Sequence, residues 1–142
     1  MDVFTTDKRS RVMRRVKSEG TRPEMIVRRL LHGLGYRYRL HRADLPGKPD
    51  LVFQSRKKVI FVHGCFWHWH HCPRGQRMPK SNTEYWRAKI DRNIDRDAKN
   101  QKELQDLGYD VLTVWECQTR DPETLAARLR DFLGPAPGEA RP

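Results

Sequence analysis

The segment from Val59 to Cys72 constrains this chain more than any other stretch of its sequence. It begins with the apolar, β-branched run Val59 to Val62, which is typical of a buried strand. Directly after this run come two of the three cysteines, four of the six histidines and two of the four tryptophans. A strand end with so many metal-ligating and aromatic side chains predicts a functional site rather than an ordinary loop.

Metal ligation is the first interpretation of this segment. The thiolate candidates are Cys65, Cys72 and Cys117, and the nearby imidazoles are His63, His68, His70 and His71. Three cysteines and one histidine make a closed tetrahedral Zn²⁺ site. Disulfide pairing explains less, because three cysteines are an odd number and nothing else indicates secretion. Spacing alone leaves the ligating histidine open, and buried, inert cysteines are the alternative.

The charge balance points to a polyanionic partner. The chain of 142 residues has a net charge of +11 and a pI near 10.1, and its length favours one domain. Nucleic acid is the leading candidate because aromatic residues accompany the charge. A basic protein without such a partner is the alternative. No apolar run reaches the roughly 18 residues of a membrane span. The N-terminus has no apolar signal core, so we expect a reducing, cytoplasmic environment.

Basic residues dominate the first 20 positions, which we predict to form an arm or helix ahead of a domain over residues 21 to 133. The candidate DNA contacts in this arm are Arg9, Arg11 and Arg14. A helix laid on phosphates and a solvated arm both fit the pattern. Residues 134 to 142 are rich in proline and glycine and are predicted to be disordered.

A helix is predicted to begin after Thr21, the expected N-cap, with Pro23 in its first turn and Gly35 as its stop. Glu24 completes a capping-box pattern, which by itself would account for this residue. The predicted buried face consists of Ile26, Val27, Leu30, Leu31 and Leu34. The spacing of Glu24 therefore establishes no catalytic role.

Three strands are predicted next, over residues 36 to 40, 50 to 53 and 57 to 62, with residues 54 to 56 as the reversal of a hairpin. Pairing across that hairpin places Asp50, at the start of one strand, beside Val62, at the end of the next. Asp50 is therefore expected near the cysteines and histidines.

A long helix over about residues 83 to 107 separates the third strand from a fourth, over residues 109 to 115, and a last helix covers residues 124 to 132. The inner face of the long helix is predicted to consist of Trp86, Ile90, Ile94 and Leu104. A helical crossover makes the two strands parallel, so that their carboxyl ends lie at the same edge of the sheet. Cys65 and Cys117 are then expected to meet there.

Three motifs together resemble the very-short-patch repair DNA mismatch endonucleases. They are Leu-Pro-Gly-Lys-Pro-Asp at residues 45 to 50, the block from residue 61 to Cys72, and Val-Trp-Glu-Cys at residues 114 to 117. The similarity spans about residues 8 to 133. It implies an α/β fold with a restriction-endonuclease-like core, in which helices flank a mixed central sheet. It also implies a structural Zn²⁺ and a Mg²⁺-dependent nick on the 5′ side of the thymine in a T:G mismatch, the product of 5-methylcytosine deamination.

The resemblance implies a role for each matching position. Asp50 is the Mg²⁺-binding carboxylate, His68 the catalytic histidine and Glu24 an acidic partner. His63 and Asp97 match positions that line the active site. The implied Zn²⁺ ligands are Cys65, His70, Cys72 and Cys117. The implied aromatic wedge consists of Phe66 and Trp67, with Met13 acting from the opposite groove. The expected partner is double-stranded DNA with a T:G mismatch, bound by a monomer that contacts other mismatch-repair proteins in the bacterial cytoplasm.

Elementary chemistry supports this division of labour but leaves alternatives open. Oxygen ligands suit Mg²⁺, soft ligands suit Zn²⁺, and a neutral histidine can accept a proton from water. Asp50 could be a plain turn residue, and His68 and His70 could exchange roles. Both wedge rings could instead be buried. Val62 stands where a relative can carry threonine, which is harmless if its backbone carbonyl binds Mg²⁺. A non-catalytic zinc module that binds DNA and a zinc hydrolase are the competing functions.

Overall fold

The computed structural model describes residues 20 to 65, 68, 70, 72 and 80 to 136. Its helices are α1 (Arg22–Gly33), α2 (Thr83–Asp106) and α3 (Pro122–Leu133). Its strands are β1 (Arg39–Leu40), β2 (Leu51–Phe53), β3 (Lys58–His63) and β4 (Asp110–Trp115). Two short 3-10 helices, Gln54–Arg56 and Glu116–Arg120, follow β2 and β4.

The strands form one mixed sheet in the order β1-β2-β3-β4. β2 pairs antiparallel with both β1 and β3, and β3 pairs parallel with β4. In the parallel pair, Val62 lies opposite Val114 and His63 lies opposite Trp115. Both the predicted hairpin and the predicted parallel crossover are therefore confirmed, and the ends of β3 and β4 lie at the same edge.

The start of α1 departs from the expected capping box in one respect. Thr21 is the N-cap, and its hydroxyl accepts a hydrogen bond from the Glu24 N–H at 3.3 Å. The Glu24 carboxylate accepts instead from the N–H of Gly20 at 3.2 Å and is almost fully buried. A buried carboxylate needs partners beyond a helix cap, and those partners lie in the candidate site.

Apolar side chains cover both faces of the sheet. The larger cluster lies between the sheet and helices α1 and α3, and its members include Leu31, Leu51, Ile60, Val114 and Leu129. On the other face, Val52, Val59, Leu104 and Tyr109 pack together. Strand alternation explains why neighbours such as Val59 and Ile60 enter different clusters. The result is the predicted α/β fold with a mixed sheet flanked by helices.

Two details of the sequence prediction are wrong. Ile94, expected on the inner face of α2, is 39% exposed, whereas Asn93 and Ile90 are buried. The inner face thus turns polar near the site, where Asp97 also points inward. The strand predicted over residues 36 to 40 is reduced to Arg39–Leu40. Tyr36 leaves the sheet to pack in the core against Phe53.

The segment after α3 packs onto the domain as far as the structure describes it. The Tyr36 hydroxyl donates to the carbonyl of Gly134, and Arg56 donates to the carbonyl of Pro135 at 2.7 Å. Ala136 is buried in the larger core cluster. The predicted division into arm, domain and tail stays a prediction, but residues 134 to 136 pack against the domain. Among the described residues, no helix has the length and apolarity needed to cross a bilayer.

Candidate active site and metal centre

Asp50 is fixed by the hairpin that the sequence predicts. β2 begins one residue after Asp50, with Leu51 opposite Ile60 of β3. The Oδ2 atom of Asp50 accepts a hydrogen bond of 2.7 Å from the backbone N–H of Val62. This contact is independent of the side chain at position 62. It holds one carboxylate oxygen and leaves Oδ1 directed toward His41, whose Nε2 lies 3.9 Å away.

Glu24 and His41 join Asp50 in what we call the carboxylate–imidazole cluster. The Nε2 atom of His41 lies 3.0 Å from both carboxylate oxygens of Glu24. Arg28, one turn along α1, approaches the same carboxylate at 3.5 Å. One ligand atom from each member of the cluster lies within 4.8 Å of the others, so the three residues could hold a metal ion. Two carboxylates and an imidazole suit a divalent cation.

The surroundings of Asp50 disfavour its charged form when no cation is bound nearby. Its pKa is raised to about 7, chiefly by burial and also by the charge of Glu24, while the hydrogen bond from Val62 opposes the change. Burial penalises the charged form, and a neighbouring carboxylate penalises it again. A divalent cation at this point would remove both penalties.

A second group, the His–Asp cluster, consists of His63, His68 and Asp97. The Nδ1 atom of His68 forms a short hydrogen bond with Oδ2 of Asp97 on α2. Because a carboxylate only accepts, the Nδ1 atom carries the proton of this bond. The Nε2 atom of His68 is then the basic nitrogen, which is the tautomer that a general base requires.

His63 gives His68 an uncharged neighbour. The two rings stack with centroids 3.7 Å apart and an angle of 5° between their planes. The pKa of His63 is lowered to about 4, chiefly by burial and also by the nearby His68, while Asp97 opposes the change. The Nδ1 atom of His63 has no hydrogen-bond partner among the described residues and lies 3.9 Å from the shared oxygen of Asp97. His63 therefore stays neutral near pH 7 and does not repel a proton taken up by His68.

The third group, the cysteine cluster, is the one that the parallel strands were expected to bring together. Its members are Cys65, His70, Cys72 and Cys117, and one ligand atom of each lies within 4.8 Å of the others. The Sγ atom of Cys117 lies 3.5 Å from Nδ1 of His70, close to the roughly 3.6 Å expected between sulfur and nitrogen ligands of tetrahedral Zn²⁺. The histidine of this cluster is His70, whereas His68 belongs to the His–Asp cluster. Its donor set thus fits a closed zinc site.

Backbone hydrogen bonds explain how residues close in sequence reach different clusters. The N–H of His70 donates to the carbonyl of Cys65 at 2.9 Å, and the N–H of His68 donates to that of Gly64 at 3.3 Å. The chain thus turns tightly after β3. This turn directs His68 toward α2 and His70 toward the end of β4.

Trp115, the last residue of β4, separates the His–Asp cluster from the cysteine cluster. Its ring stacks on His70 with centroids 4.3 Å apart. It also meets His63 and His68 edge-on, at 5.5 and 6.3 Å. One ring thus contacts residues of both clusters.

The remaining predicted site residues lie outside the described part of the chain. They are Met13, Phe66, Trp67, Arg9, Arg11 and Arg14. His41 is the site residue that the sequence reasoning missed. Strand pairing could have predicted its place in the site. Leu40 pairs with Leu51, and continuing this antiparallel pairing by one residue sets His41 opposite Asp50. The same step along the neighbouring hairpin sets Asp50 opposite Phe61, and the Asp50 side chain reaches the N–H of the next residue, Val62.

Comparison with known proteins yields a consistent set of similarities. Residues 1–74 match the family model described as DNA mismatch endonuclease Vsr. The chain is 50% identical over 135 residues to the type II nicking enzyme V.XorIIP of Xanthomonas oryzae pv. oryzae, covering 95% of this chain and 98% of that protein. It is 46% identical to the type II nicking enzyme V.NmeAIP of Neisseria meningitidis, covering 93% of this chain and 94% of the relative. It is 44% identical to the DNA mismatch endonuclease Vsr of Escherichia coli K12, covering 93% and 87% of the two chains.

Proposed function

This chain belongs to the DNA mismatch endonuclease Vsr family, and from that premise we propose that it nicks duplex DNA on the 5′ side of the thymine in a T:G mismatch. The reaction is a Mg²⁺-dependent hydrolysis of one phosphodiester bond. The lesion arises when 5-methylcytosine deaminates opposite guanine. The enzyme acts as a monomer on the bacterial nucleoid in the cytoplasm and contacts other mismatch-repair proteins.

The strongest support comes from the geometry at the end of β3. There, the carboxylate of Asp50 is held by the N–H of Val62, and the ring of His68, with its tautomer set by Asp97, stacks on the next residue, His63. A cation-binding carboxylate and a proton acceptor are the two groups that phosphodiester hydrolysis needs. A module that only binds DNA has no use for this pair.

Asp50 binds the catalytic Mg²⁺ in the proposed mechanism, with the backbone carbonyl of Val62 as a further ligand. Glu24 adds negative charge beside it. Bound there, the cation stabilises the charge that develops on the phosphate oxygens. Val62 contacts Asp50 through its backbone N–H, and a cation ligated by the Val62 carbonyl would likewise need no hydroxyl group at this position.

His68 takes the proton from the attacking water through Nε2. Asp97 holds the ring in orientation and stabilises the imidazolium that results. His63 supports the opposite face of the ring and stays neutral. Only His68 takes up the proton, at Nε2; Asp97 binds Nδ1 and His63 stacks on the ring, so both are positioning residues for His68.

Zn²⁺ is proposed to be structural. The ligand set Cys65, His70, Cys72 and Cys117 contains four protein ligands and so leaves no open position for water. When bound, the ion braces the turn that carries His68. Activity should therefore follow Mg²⁺ rather than an exchangeable zinc.

DNA binding relies on charge and on a wedge. The net charge of +11 favours contact with phosphates, and Arg9, Arg11 and Arg14 are the proposed contacts in the arm. Phe66, Trp67 and Met13 are proposed to enter the base stack. Unstacking costs least at a mismatch, which gives such a wedge its selectivity.

End-labelled duplexes provide the decisive assay. Duplexes with T:G, T:A or C:G at one position are incubated with the protein, with and without Mg²⁺. We expect one nick, in the thymine strand of the T:G duplex, only when Mg²⁺ is present. Equal cutting of all duplexes would indicate a general nuclease, and cutting without Mg²⁺ would indicate a zinc hydrolase.

The Asp50→Ala variant separates an enzyme from a binding module. We expect nicking to be lost while affinity for the T:G duplex is retained. Asp95→Ala is the matched control, since Asp95 is exposed on α2 away from the three clusters. Absence of nicking by the unmodified chain under every condition would favour the non-catalytic module.

A further inference from the structure

His41 has an unusual backbone conformation and a backbone hydrogen bond to Asp50. It follows β1 directly and adopts a left-handed backbone conformation, with φ of 46°. This conformation is unfavourable for residues other than glycine, although histidine adopts it more readily than most. Its N–H donates to the carbonyl of Asp50 at 3.2 Å. The backbone thus fixes His41 against the residue that is proposed to bind the catalytic cation.

The side chain of His41 points into the same site. Its Nε2 atom lies 3.0 Å from the Glu24 carboxylate oxygens and 3.9 Å from Oδ1 of Asp50. The side chains are well shielded from solvent, with 15% of His41, 13% of Asp50 and 1% of Glu24 exposed. Three donor atoms from three different segments therefore converge in a protected space.

These separations already suit ligands of a single ion. In an octahedral site with bonds of about 2.1 Å, adjacent donor atoms lie roughly 3.0 Å apart and opposite ones roughly 4.2 Å apart. The 3.0 Å separation between Nε2 and Glu24 matches adjacent ligands, and the 3.9 Å separation between Nε2 and Asp50 is about 0.3 Å short of the value for opposite ligands. A cation could enter with little rearrangement of the three side chains.

We propose that His41 is a ligand of the catalytic cation and determines its selectivity, favouring Mn²⁺ over Mg²⁺ relative to a site built from oxygen atoms alone. This inference rests on the proposed function and deepens it. Mg²⁺ prefers oxygen ligands, whereas imidazole nitrogen binds transition metals such as Mn²⁺ more readily. His41 would bind the cation through the lone pair of Nε2, so the bound ring is the neutral tautomer with its single proton on Nδ1, and a second proton, where present, passes to solvent. Glu24 and Asp50 supply the remaining protein charges.

Equilibrium binding to the full, zinc-loaded chain tests this without any turnover. Mn²⁺ alone is titrated by electron paramagnetic resonance, and Mg²⁺ alone by calorimetry. We expect His41→Gln to weaken Mn²⁺ binding by roughly tenfold or more, with a much smaller change for Mg²⁺, because the amide oxygen replaces a nitrogen donor. His32→Gln, an exposed histidine on α1, is the matched control and should change neither affinity.

A spectroscopic signature distinguishes a ligand from a residue that only orients Glu24. Pulsed electron paramagnetic resonance of bound Mn²⁺ should show coupling to ¹⁴N in the unmodified protein, and this coupling should vanish in His41→Gln. Persistence of the coupling in that variant, or equal weakening of Mn²⁺ and Mg²⁺ binding, would overturn the assignment. Should His41→Gln fail to fold, the His63→Gln/His68→Gln double variant decides: coupling that remains there supports His41, and its loss refutes the assignment.

The result for His41 as a metal ligand can be distinguished from the result for the proposed nicking activity. Nicking of the T:G duplex by a protein that shows no nitrogen coupling would remove His41 from the ligand set and leave the enzyme intact. Nitrogen coupling in a protein that nicks no duplex with Mg²⁺ or Mn²⁺ would overturn the proposed activity and retain the metal site.

Discussion

At the scale of single residues, the contact between Asp97 and His68 matters most for the proposed chemistry. Asp97 lies on α2 and His68 lies in the turn after β3, so their hydrogen bond is a tertiary contact between distant segments. It sets the tautomer of the ring and would stabilise the imidazolium formed during reaction. The same carboxylate oxygen also faces His63. One carboxylate thus hydrogen-bonds His68 and lies near His63 without bonding it.

Replacing Asp97 by asparagine should test this role. An amide can hold the ring by donating to Nδ1, which moves the proton to Nε2 and removes the basic lone pair. We expect kcat for T:G nicking to fall by roughly 10²- to 10⁴-fold, with little change in affinity for the duplex. Asp95→Asn is the control, because it removes the same charge from an exposed position on α2. Equal rates in Asp97→Asn and the unmodified chain would argue against His68 as the base.

Asp50 should make the stability of the Mg²⁺-free protein depend on pH. Its folded-state pKa of about 7 lies above the usual aspartate value of 3.8. Between about pH 4 and 7 the folded state therefore keeps a proton that the unfolded state has lost, and the free energy of unfolding decreases as pH rises. The loss is on the order of a few kcal/mol when complete.

Urea unfolding at pH 5 and pH 8, with zinc loaded and Mg²⁺ absent, measures this effect against Asp50→Asn. The unmodified chain should lose more stability than the variant over this interval, and added Mg²⁺ should restore it at pH 8. His63 acts in the opposite sense, because its lowered pKa destabilises the folded state as pH falls toward 4. The comparison cancels that contribution. Identical pH slopes for the two proteins would contradict the raised pKa.

At the scale of elements, the turn over residues 45 to 50 and helix α2 are packed too closely for a side chain between them. Gly47 has φ of +74°, and a Cβ atom there would lie 2.8 Å from the amide nitrogen of Asn100. The turn leads directly to Asp50, and α2 carries Asp97. Close packing at Gly47 therefore controls the spacing between the two halves of the proposed site.

Gly47→Ala is expected to destabilise the protein by about 1–3 kcal/mol in urea unfolding, since both the contact and the backbone conformation oppose it. Gly33→Ala is the matched control: Gly33 ends α1, and nothing lies within 4 Å of an added Cβ atom. Gly47→Ala should also slow nicking by pushing α2 away. If Gly47→Ala were as stable as Gly33→Ala, the Asn100 side chain would have moved aside without a measurable loss of stability.

The elements also show what the sequence could and could not predict. Apolar runs and turn residues located all four strands, and the crossover rule placed Cys117 beside Cys65 correctly. Predictions from local sequence patterns failed at positions whose burial or role depends on tertiary contacts. Ile94 matched the helical period but is exposed, because the neighbouring turn of α2 faces a polar site. His41 was missed because its role depends on pairing across β1 and β2, not on a motif.

At the scale of the whole molecule, the cysteine cluster joins the turn after β3 to the end of β4. Without a metal, burial raises the pKa of Cys65 to about 12 and also raises the pKa of Cys117. These thiols are therefore protonated near neutral pH. Zinc must displace their protons to bind, which couples the integrity of the fold to both metal supply and pH.

Zinc uptake by the metal-free chain should release about three protons at pH 7, one for each thiol. A pH indicator measures this during titration, and elemental analysis should find one zinc per chain. Cys117→Ser is expected to lose the metal and to lower the thermal midpoint by roughly 10 °C or more. His32→Gln should bind zinc normally, since this exposed side chain is remote from the cluster. A midpoint unchanged by Cys117→Ser would mean that the metal does not brace the fold.

The position of Cys117 along the chain has a consequence for synthesis. Glu24, Asp50, His68 and Asp97 all emerge from the ribosome before it, and so do the other three members of its cluster. A nascent or prematurely terminated polypeptide thus carries every proposed catalytic side chain but lacks the residue that fastens them together. A chain that ends before Cys117 has only three of the four proposed zinc ligands, so we expect it neither to hold the ion tightly nor to nick DNA.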